Sequence, residues 1–191
     1  MIRILAFAGS TRTDSFNKKL IWIAVNGAQD AGAEVTLIDL RDFPMPLYDG
    51  DLEVKEGIPP HGKRLKELMK SHQGFLISAP EYNSSISGVL KNAIDWASRE
   101  EPGETPLVCF KGKTAALMSA SPGGLGGLRG LVHVRSILSN IGVLVLPTQV
   151  AVPRAHEAFQ PDGTLKDDKQ RAAVEKLGCD LAAILRKLHA P

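Results

Sequence analysis

Five short apolar runs set the rhythm of this chain and restrict what it can fold into. Residues 2–8 (IRILAFA), 34–40 (EVTLIDL), 74–79 (GFLISA), 113–120 (KTAALMSA) and 143–148 (VLVLPT) are near-continuous in apolar character. Strands that show no polar alternation are covered on both faces. Between them lie stretches with helical spacing. Residues 16–31 carry Leu20, Ile21, Ile23, Ala24, Val25 and Ala28 on one side and end on Gly32, a residue suited to a left-handed cap. Residues 61–71, 88–98, 131–140 and 167–188 read as further helices, and 41–60 as a long Pro/Gly-bearing loop with the character of a functional flap. Strand alternating with helix predicts an α/β fold: a flavodoxin-like, doubly wound, five-stranded parallel sheet in the order 2-1-3-4-5, with helices on both faces. At 191 residues the whole chain, 1–191, makes a single domain with a core that needs no disulfide or metal staple.

Composition narrows the function classes. Lysine and arginine number 23 against 21 acidic residues, a net +2 that provides no broad basic field for nucleic acid. Aromatic residues make up 5%, fewer than a base-stacking platform uses. No apolar run approaches the ~20 residues that span a bilayer. Residues 1–7 lack the basic start and cleavage site of a secretory signal and read as a strand. Cys109 and Cys179 are far apart and form no CxxC, so they read as reduced packing residues of a cytoplasmic protein. His61, His72, His133, His156 and His189 are scattered without metal-ligand spacing.

In a doubly wound sheet, ligands sit outside the carboxyl ends of the strands at the switch point. The loops after the first, third and fourth strands converge there. The first is Gly9-Ser10-Thr11-Arg12-Thr13-Asp14-Ser15-Phe16-Asn17. Hydroxyls, a guanidinium and an amide at a helix N-terminus suit a phosphate; the plainer alternative is N-capping by Ser15 or Asp14. It matches neither a Walker A loop nor G-x-G-x-x-G. The second loop, Pro80-Glu81-Tyr82-Asn83-Ser84-Ser85-Ile86-Ser87-Gly88, is a polar turn able to face a planar heterocycle, or simply a turn with Ser87 capping the next helix. The third, Ser119 to Arg129, holds Gly123, Gly124, Gly126 and Gly127, through which backbone can approach a ligand, or which form a flexible lead-in to a helix. Together the three point to a phosphorylated planar cofactor.

The spacing Gly9-Ser10-x-Arg12-x-x-Ser15-x-Asn17, then Pro80-Glu81-Tyr82-Asn83-x-Ser85-x-x-Gly88-x-Leu90-Lys91-Asn92-Ala93-Ile94-Asp95-Trp96, then the glycine turn with Arg129, resembles the NADPH-dependent FMN reductase family of quinone, chromate and azo-dye reductases. The resemblance implies non-covalent FMN. Gly9, Ser10, Arg12, Ser15 and Asn17 match its phosphate loop; Pro80, Glu81, Tyr82 and Asn83 match the segment against the ring and ribityl chain; Ser119, Gly123, Gly124 and Gly126 match the other flavin edge. It further implies hydride transfer from NADPH or NADH, and a ping-pong passage of electrons to a small-molecule acceptor such as a quinone, dye, metal oxyanion or free flavin. No metal and no catalytic side chain are implied, and a homodimer or homotetramer is. Asp95 and Trp96 read as anchors of their helix, and Arg129 as a contact to a partner subunit or substrate. The competing readings are a flavodoxin-type electron carrier and a flavin-based redox sensor, neither of which oxidises NAD(P)H.

Overall fold

A computed structural model of the chain describes residues 1–190. Its main sheet is built from β1 (Arg3–Ala8), β2 (Glu34–Asp39), β3 (Gly74–Ser78), β6 (Thr114–Ala120) and β7 (Leu144–Val152), in the order β2-β1-β3-β6-β7 and parallel throughout. Counted among themselves, these strands follow 2-1-3-4-5, the expected flavodoxin-like order. β4 (Glu81–Tyr82) and β5 (Ser85–Ile86) form a separate antiparallel hairpin after β3.

The three central strands are buried along almost their whole length, which is why their sequences show no alternation. One face is covered by α1 (Phe16–Asp30) and α7 (Asp168–Leu188), with Leu20, Ala24, Val174, Leu177 and Leu181 in a core reaching Ile4, Ala6, Leu76 and Met118. The other face carries α3 (Pro60–Ser71), α4 (Gly88–Ala97) and α5 (Leu128–Asn140), packed on Leu5, Phe7, Phe75, Ile77 and Leu117.

α1 and α7 meet backbone to backbone. A Cβ placed on Gly27 would sit 2.0 Å from the Glu175 carbonyl oxygen, and one on Gly178 would sit 2.0 Å from that of Ala24. The Cys179 thiol donates to the Gly27 carbonyl at 3.0 Å inside this contact. The opposite face is fastened differently. Lys66 of α3 is fully buried, with its ammonium on the carboxylates of Glu104 and Glu101 and on the Arg99 carbonyl oxygen. Lys70 adds a second ion pair to Glu104 at 2.8 Å.

Three expected boundaries move, each for a physical reason. The stretch 41–60 is not all loop: α2 (Gly50–Glu56) lies within it, its first turn capped by the Asp49 carboxylate. β7 runs past Pro147 to Val152 with two residues bulged out of register. Pro147 is tolerated because β7 is an edge strand, and Arg135 of α5 donates to the carbonyls of Val145, Leu146 and Pro147. α5 begins at Leu128, three residues early, because Gly127 at φ +90° serves as its N-cap. The loop after β7 also holds a one-turn helix, α6 (Ala155–Ala158).

Candidate active site

The carboxyl ends of β1, β3 and β6 stand side by side, so their three loops share one cleft. It encloses about 170 Å³. Ser10, Arg12, Ser15, Phe16 and Asn17 line it from the first loop, Pro80, Glu81 and Tyr82 from the second, and Ala120, Ser121 and Pro122 from the third. A larger hollow of about 290 Å³ lies between α1 and β2, against Lys18, Trp22 and Asp39, and none of the three loops reaches it.

The first loop leaves its donors available. Ser15 is at the N-cap position of α1, but its hydroxyl makes no capping bond, so capping is not its task. The Arg12 guanidinium is exposed and pairs with no carboxylate among the described residues. Ser10 is buried, its Oγ accepting from the Arg12 N–H at 3.3 Å. Helix dipole, hydroxyl and guanidinium thus converge on one point, a ready anion site. Asn17 holds this point to the sheet. Its side-chain oxygen accepts from the Ala120 N–H (3.0 Å) and the Ser78 hydroxyl (2.9 Å), and its nitrogen donates to the Ala120 carbonyl (2.8 Å). One of its two N–H hydrogens remains for a ligand. Gly9 is a packing residue: a Cβ there would come within 2.9 Å of Leu90 Cβ.

The second loop is the β4–β5 hairpin. Asn83 and Ser84 both take positive φ, 50° and 65°, as a two-residue turn of the primed type requires. Ser87 is the N-cap of α4, accepting from the Leu90 N–H at 3.3 Å while donating to the Gly9 carbonyl at 2.6 Å, which binds the first two loops together. The Glu81 carboxylate turns away from the cleft. One oxygen accepts from Arg129 Nε (2.9 Å) and Nη2 (2.6 Å), the other from the Gly130 N–H (3.1 Å). Burial alone would raise this carboxyl, but the Gly130 N–H and the Arg129 guanidinium outweigh it and hold it below the usual range. Arg129 therefore pairs within its own chain.

In the third loop the glycines divide. Gly123 and Gly124 have open space where a Cβ would stand, with only Ser121 Oγ at 3.7 Å from the former. Gly126 and Gly127 are needed for close packing instead. A Cβ on Gly126 would lie 2.7 Å from the backbone of Val152 and Pro153, and one on Gly127 would lie 2.0 Å from Ser119 Oγ. Ser119 is fully buried, and its hydroxyl has no hydrogen-bond partner. Gly9, Asn83, Ser119, Gly123, Gly124 and Gly126 stay off the cleft's lining, while Phe16, Ala120, Ser121 and Pro122, none of them among the expected cofactor-binding residues, are on it. Phe16, within the first loop, stacks on Phe159 with centroids 5.8 Å apart.

The flap is strapped to α4 by the long second motif. Asn92 donates to the Pro46 carbonyl (2.9 Å) and accepts from the Tyr48 N–H (2.8 Å), and Trp96 Nε1 donates to the same carbonyl (2.8 Å). Trp96 is fully buried, an anchor as expected. At the flap's other end, the Arg41 guanidinium donates to the Thr11 carbonyl in the first loop.

The sequence matches the family model for NADPH-dependent FMN reductase over residues 2–157. The chain belongs to this family. It is 38% identical over 189 residues to an NAD(P)H-dependent FMN reductase of Pseudomonas aeruginosa, covering 98% of this chain and 97% of that protein. It is 32% identical to an NADPH:quinone oxidoreductase of Arabidopsis thaliana, covering 99% and 94%. Among solved structures, the flavoenzyme NAD(P)H:(acceptor) oxidoreductase FerB of Paracoccus denitrificans superposes with a TM-score of 0.81 at 28% identity, covering 98% of each chain. This family member is an FMN-dependent oxidoreductase with NAD(P)H as its hydride donor. No helix among the described residues is long and apolar enough to cross a membrane, and no group of three His, Cys, Asp or Glu side chains there could hold a metal ion.

Proposed function

We propose that the cleft over β1, β3 and β6 holds FMN and passes electrons from NAD(P)H to quinones, dyes, metal oxyanions or free flavin in a ping-pong cycle. The observation that carries this reading is the Ser15 hydroxyl free of a capping bond, beside an Arg12 guanidinium that pairs with no carboxylate among the described residues, at the N-terminus of α1. The residues present fit the group. Its phosphate would be held by Ser10, Arg12, Ser15, the remaining Asn17 N–H and the backbone N–H groups at the start of α1, with Gly9 setting the loop's approach to α4. Its ring and ribityl chain would lie along Pro80, Tyr82 and Asn83 and the main chain of Glu81. The far edge would follow the open Gly123 and Gly124, with Gly126 and the unpartnered Ser119 hydroxyl behind them.

When bound, FMN supplies the two-electron store that accepts hydride and later releases the electrons to the acceptor. The protein's part is positional. Asn17 and Ser87 lock three loops into one frame, and the α1 dipole meets the phosphate charge. No side chain in the cleft is required as an acid or base. The quinone reductase names of several relatives support a small-molecule acceptor. The exposed apolar residues Leu125, Leu128 and Val132, beside the third loop, support a homodimer or homotetramer, which light scattering on the purified protein would measure. Two free cysteines fit a reducing compartment such as the cytoplasm.

Anaerobic addition of NADPH to the yellow protein tests the reading. Rapid loss of the visible flavin absorbance is expected. An unchanged spectrum would make the protein an electron carrier or sensor. Arg12→Ala is expected to raise the FMN dissociation constant about tenfold, the loss of one charge-assisted phosphate contact.

A further inference from the structure

The Glu81 carboxylate is an unusual group for a cleft residue, because every strong interaction it makes runs away from the cleft. Its side chain is 8% exposed and Arg129's is 58% exposed, so one end of the ion pair is enclosed by protein and the other faces water. The two residues belong to different walls. Glu81 begins the hairpin that carries Tyr82, whereas Arg129 is on the first turn of α5, directly after the glycine turn that follows β6.

The backbone around the pair is shaped to bring these walls together. A Cβ on Gly130 would stand 3.3 Å from both Glu81 Cβ and the Ser85 carbonyl oxygen. A Cβ on Gly127 would stand 3.6 Å from Glu81 Cβ, besides striking Ser119 Oγ. Two glycines therefore let the first turn of α5 lie flat against the hairpin. Between them Arg129 grips Glu81 through two nitrogens, and the Gly130 N–H holds the second carboxylate oxygen. One turn further on, His133 Nδ1 meets Ser85 Oγ at 2.9 Å, a second tie on the hairpin's return strand.

We propose that the Glu81–Arg129 ion pair is a clamp that sets the separation of the hairpin and the glycine turn, and so the width of the flavin cleft. Glu81 then acts on the cofactor as a positioning residue, through the hairpin it holds, and not as a ligand. The proposal rests on FMN occupying this cleft. It explains why a carboxylate beside an anionic cofactor is not repulsive: its charge is matched by Arg129 before the cofactor arrives. It also gives the G-G-L-R-G segment, Gly126 to Gly130, a task beyond freedom of the backbone.

The test is a double-mutant cycle on holoprotein, with Glu81→Gln, Arg129→Gln and the pair combined, reading FMN release by the recovery of flavin fluorescence on dilution. Glutamine at 81 keeps an acceptor for the Gly130 N–H and removes only the charge. Each single variant is expected to speed release about fivefold, in the range a half-exposed charge pair supports, and the double no more than either single. The visible circular dichroism of the bound flavin should change alike in all three, a signature that general loosening of the fold would not produce. Arg129→Lys, which keeps the charge without the two-pronged grip, should fall between wild type and Arg129→Gln.

Faster release in Glu81→Gln with wild-type release in Arg129→Gln would make Glu81 a direct ligand and overturn the clamp. Wild-type release in both would overturn it as well. If Arg12→Ala loses flavin while both clamp variants retain it normally, the cleft stands and only the clamp falls. A wild-type protein that takes up no FMN would overturn both.

Discussion

Both faces of the sheet carry an apolar core, but what is added to it differs. On one, α1 and α7 touch through Gly27 and Gly178, backbone against backbone. On the other, polar side chains tie the elements over the core: Lys66 and Lys70 on Glu104, Trp96 and Asn92 on Pro46, and Arg129 on Glu81. The backbone contact has no rotamers to change and fixes α1 against α7 near its C-terminal end. Side-chain straps can yield one at a time, and they hold the flap and the hairpin, the second of which lines the cleft proposed for FMN. Under the proposed function, the anion site would then lie on the face with the rigid backbone contact and the hairpin on the face with the straps.

If that contrast is right, breaking the most buried strap should cost the most. Lys66→Ala leaves Glu104 with Lys70 as its one ion-pair partner and removes the donor to the Arg99 carbonyl. Loss of a partner from a buried charge pair costs about 3 kcal/mol, to be read in urea unfolding. The same cluster gives a pH signature. Burial would raise the Glu104 carboxyl, but hydrogen bonds from Lys66 and Lys70 bring it down to about 2 from an ordinary 4.5. A lowered folded-state pKa gives stability that is full above the unfolded value and is lost as pH falls toward the folded one. Stability should therefore drop between about pH 4.5 and 2, and Lys66→Ala should flatten that decline. A variant with an unchanged acid limb would show that the cluster contributes little.

On the other face, Gly178→Ala gains about 1 kcal/mol of helix propensity. Its methyl nevertheless meets the Ala24 carbonyl oxygen at 2.0 Å, so α7 must move off α1. Overpacking against backbone of this kind costs about 3 kcal/mol, leaving a net loss of about 2 kcal/mol and a melting point lower by about 4–8 °C. FMN affinity should fall with it if the proposed anion site at the start of α1 moves with the helix. A stabilised variant would refute the close contact.

Much of this was readable in the residues, and the reasons for what was not are instructive. Burial on both faces wrote the three central strands into near-continuous apolar runs, and the alternation of strand with helix carried the sheet order and pointed to the three loops of the cleft. α2 was missed because it buries none of its residues and so has no apolar period to detect. Its only signals were Asp49 as a cap and the acidic Asp51 and Glu53 in the first turn. Pro147 reads as a stop in any strand, and only the sheet order reveals that it lies on an edge, where an absent N–H does no harm. The glycines of the third loop all look alike in sequence. Only the fold shows that Gly126 and Gly127 make room for protein while Gly123 and Gly124 face open space. Glu81 and Arg129 stand 48 positions apart, a pairing no local spacing can suggest.

The smallest expected effect sharpens the comparison best, because it separates a strap from a core contact. Trp96→Phe keeps an aromatic ring beside Tyr48, whose centroid is 5.1 Å away, and removes the Nε1–H that holds the Pro46 carbonyl. Asn92 still donates to that carbonyl, so losing this bond costs about 1 kcal/mol, and the smaller ring adds a modest cavity cost at this buried position. Beyond a modest fall in the global midpoint, the change should appear locally as faster amide exchange through the flap, residues 46–56, with exchange in α1 and α7 unaltered. Tyr48 and Glu53 should follow together, because the Tyr48 hydroxyl donates to Glu53 at 2.8 Å and Arg99 pairs with the same carboxylate. Faster exchange spread evenly over both faces would mean that Trp96 serves the core as a whole. Confinement to the flap would establish that the side-chain face opens in pieces while the glycine face does not.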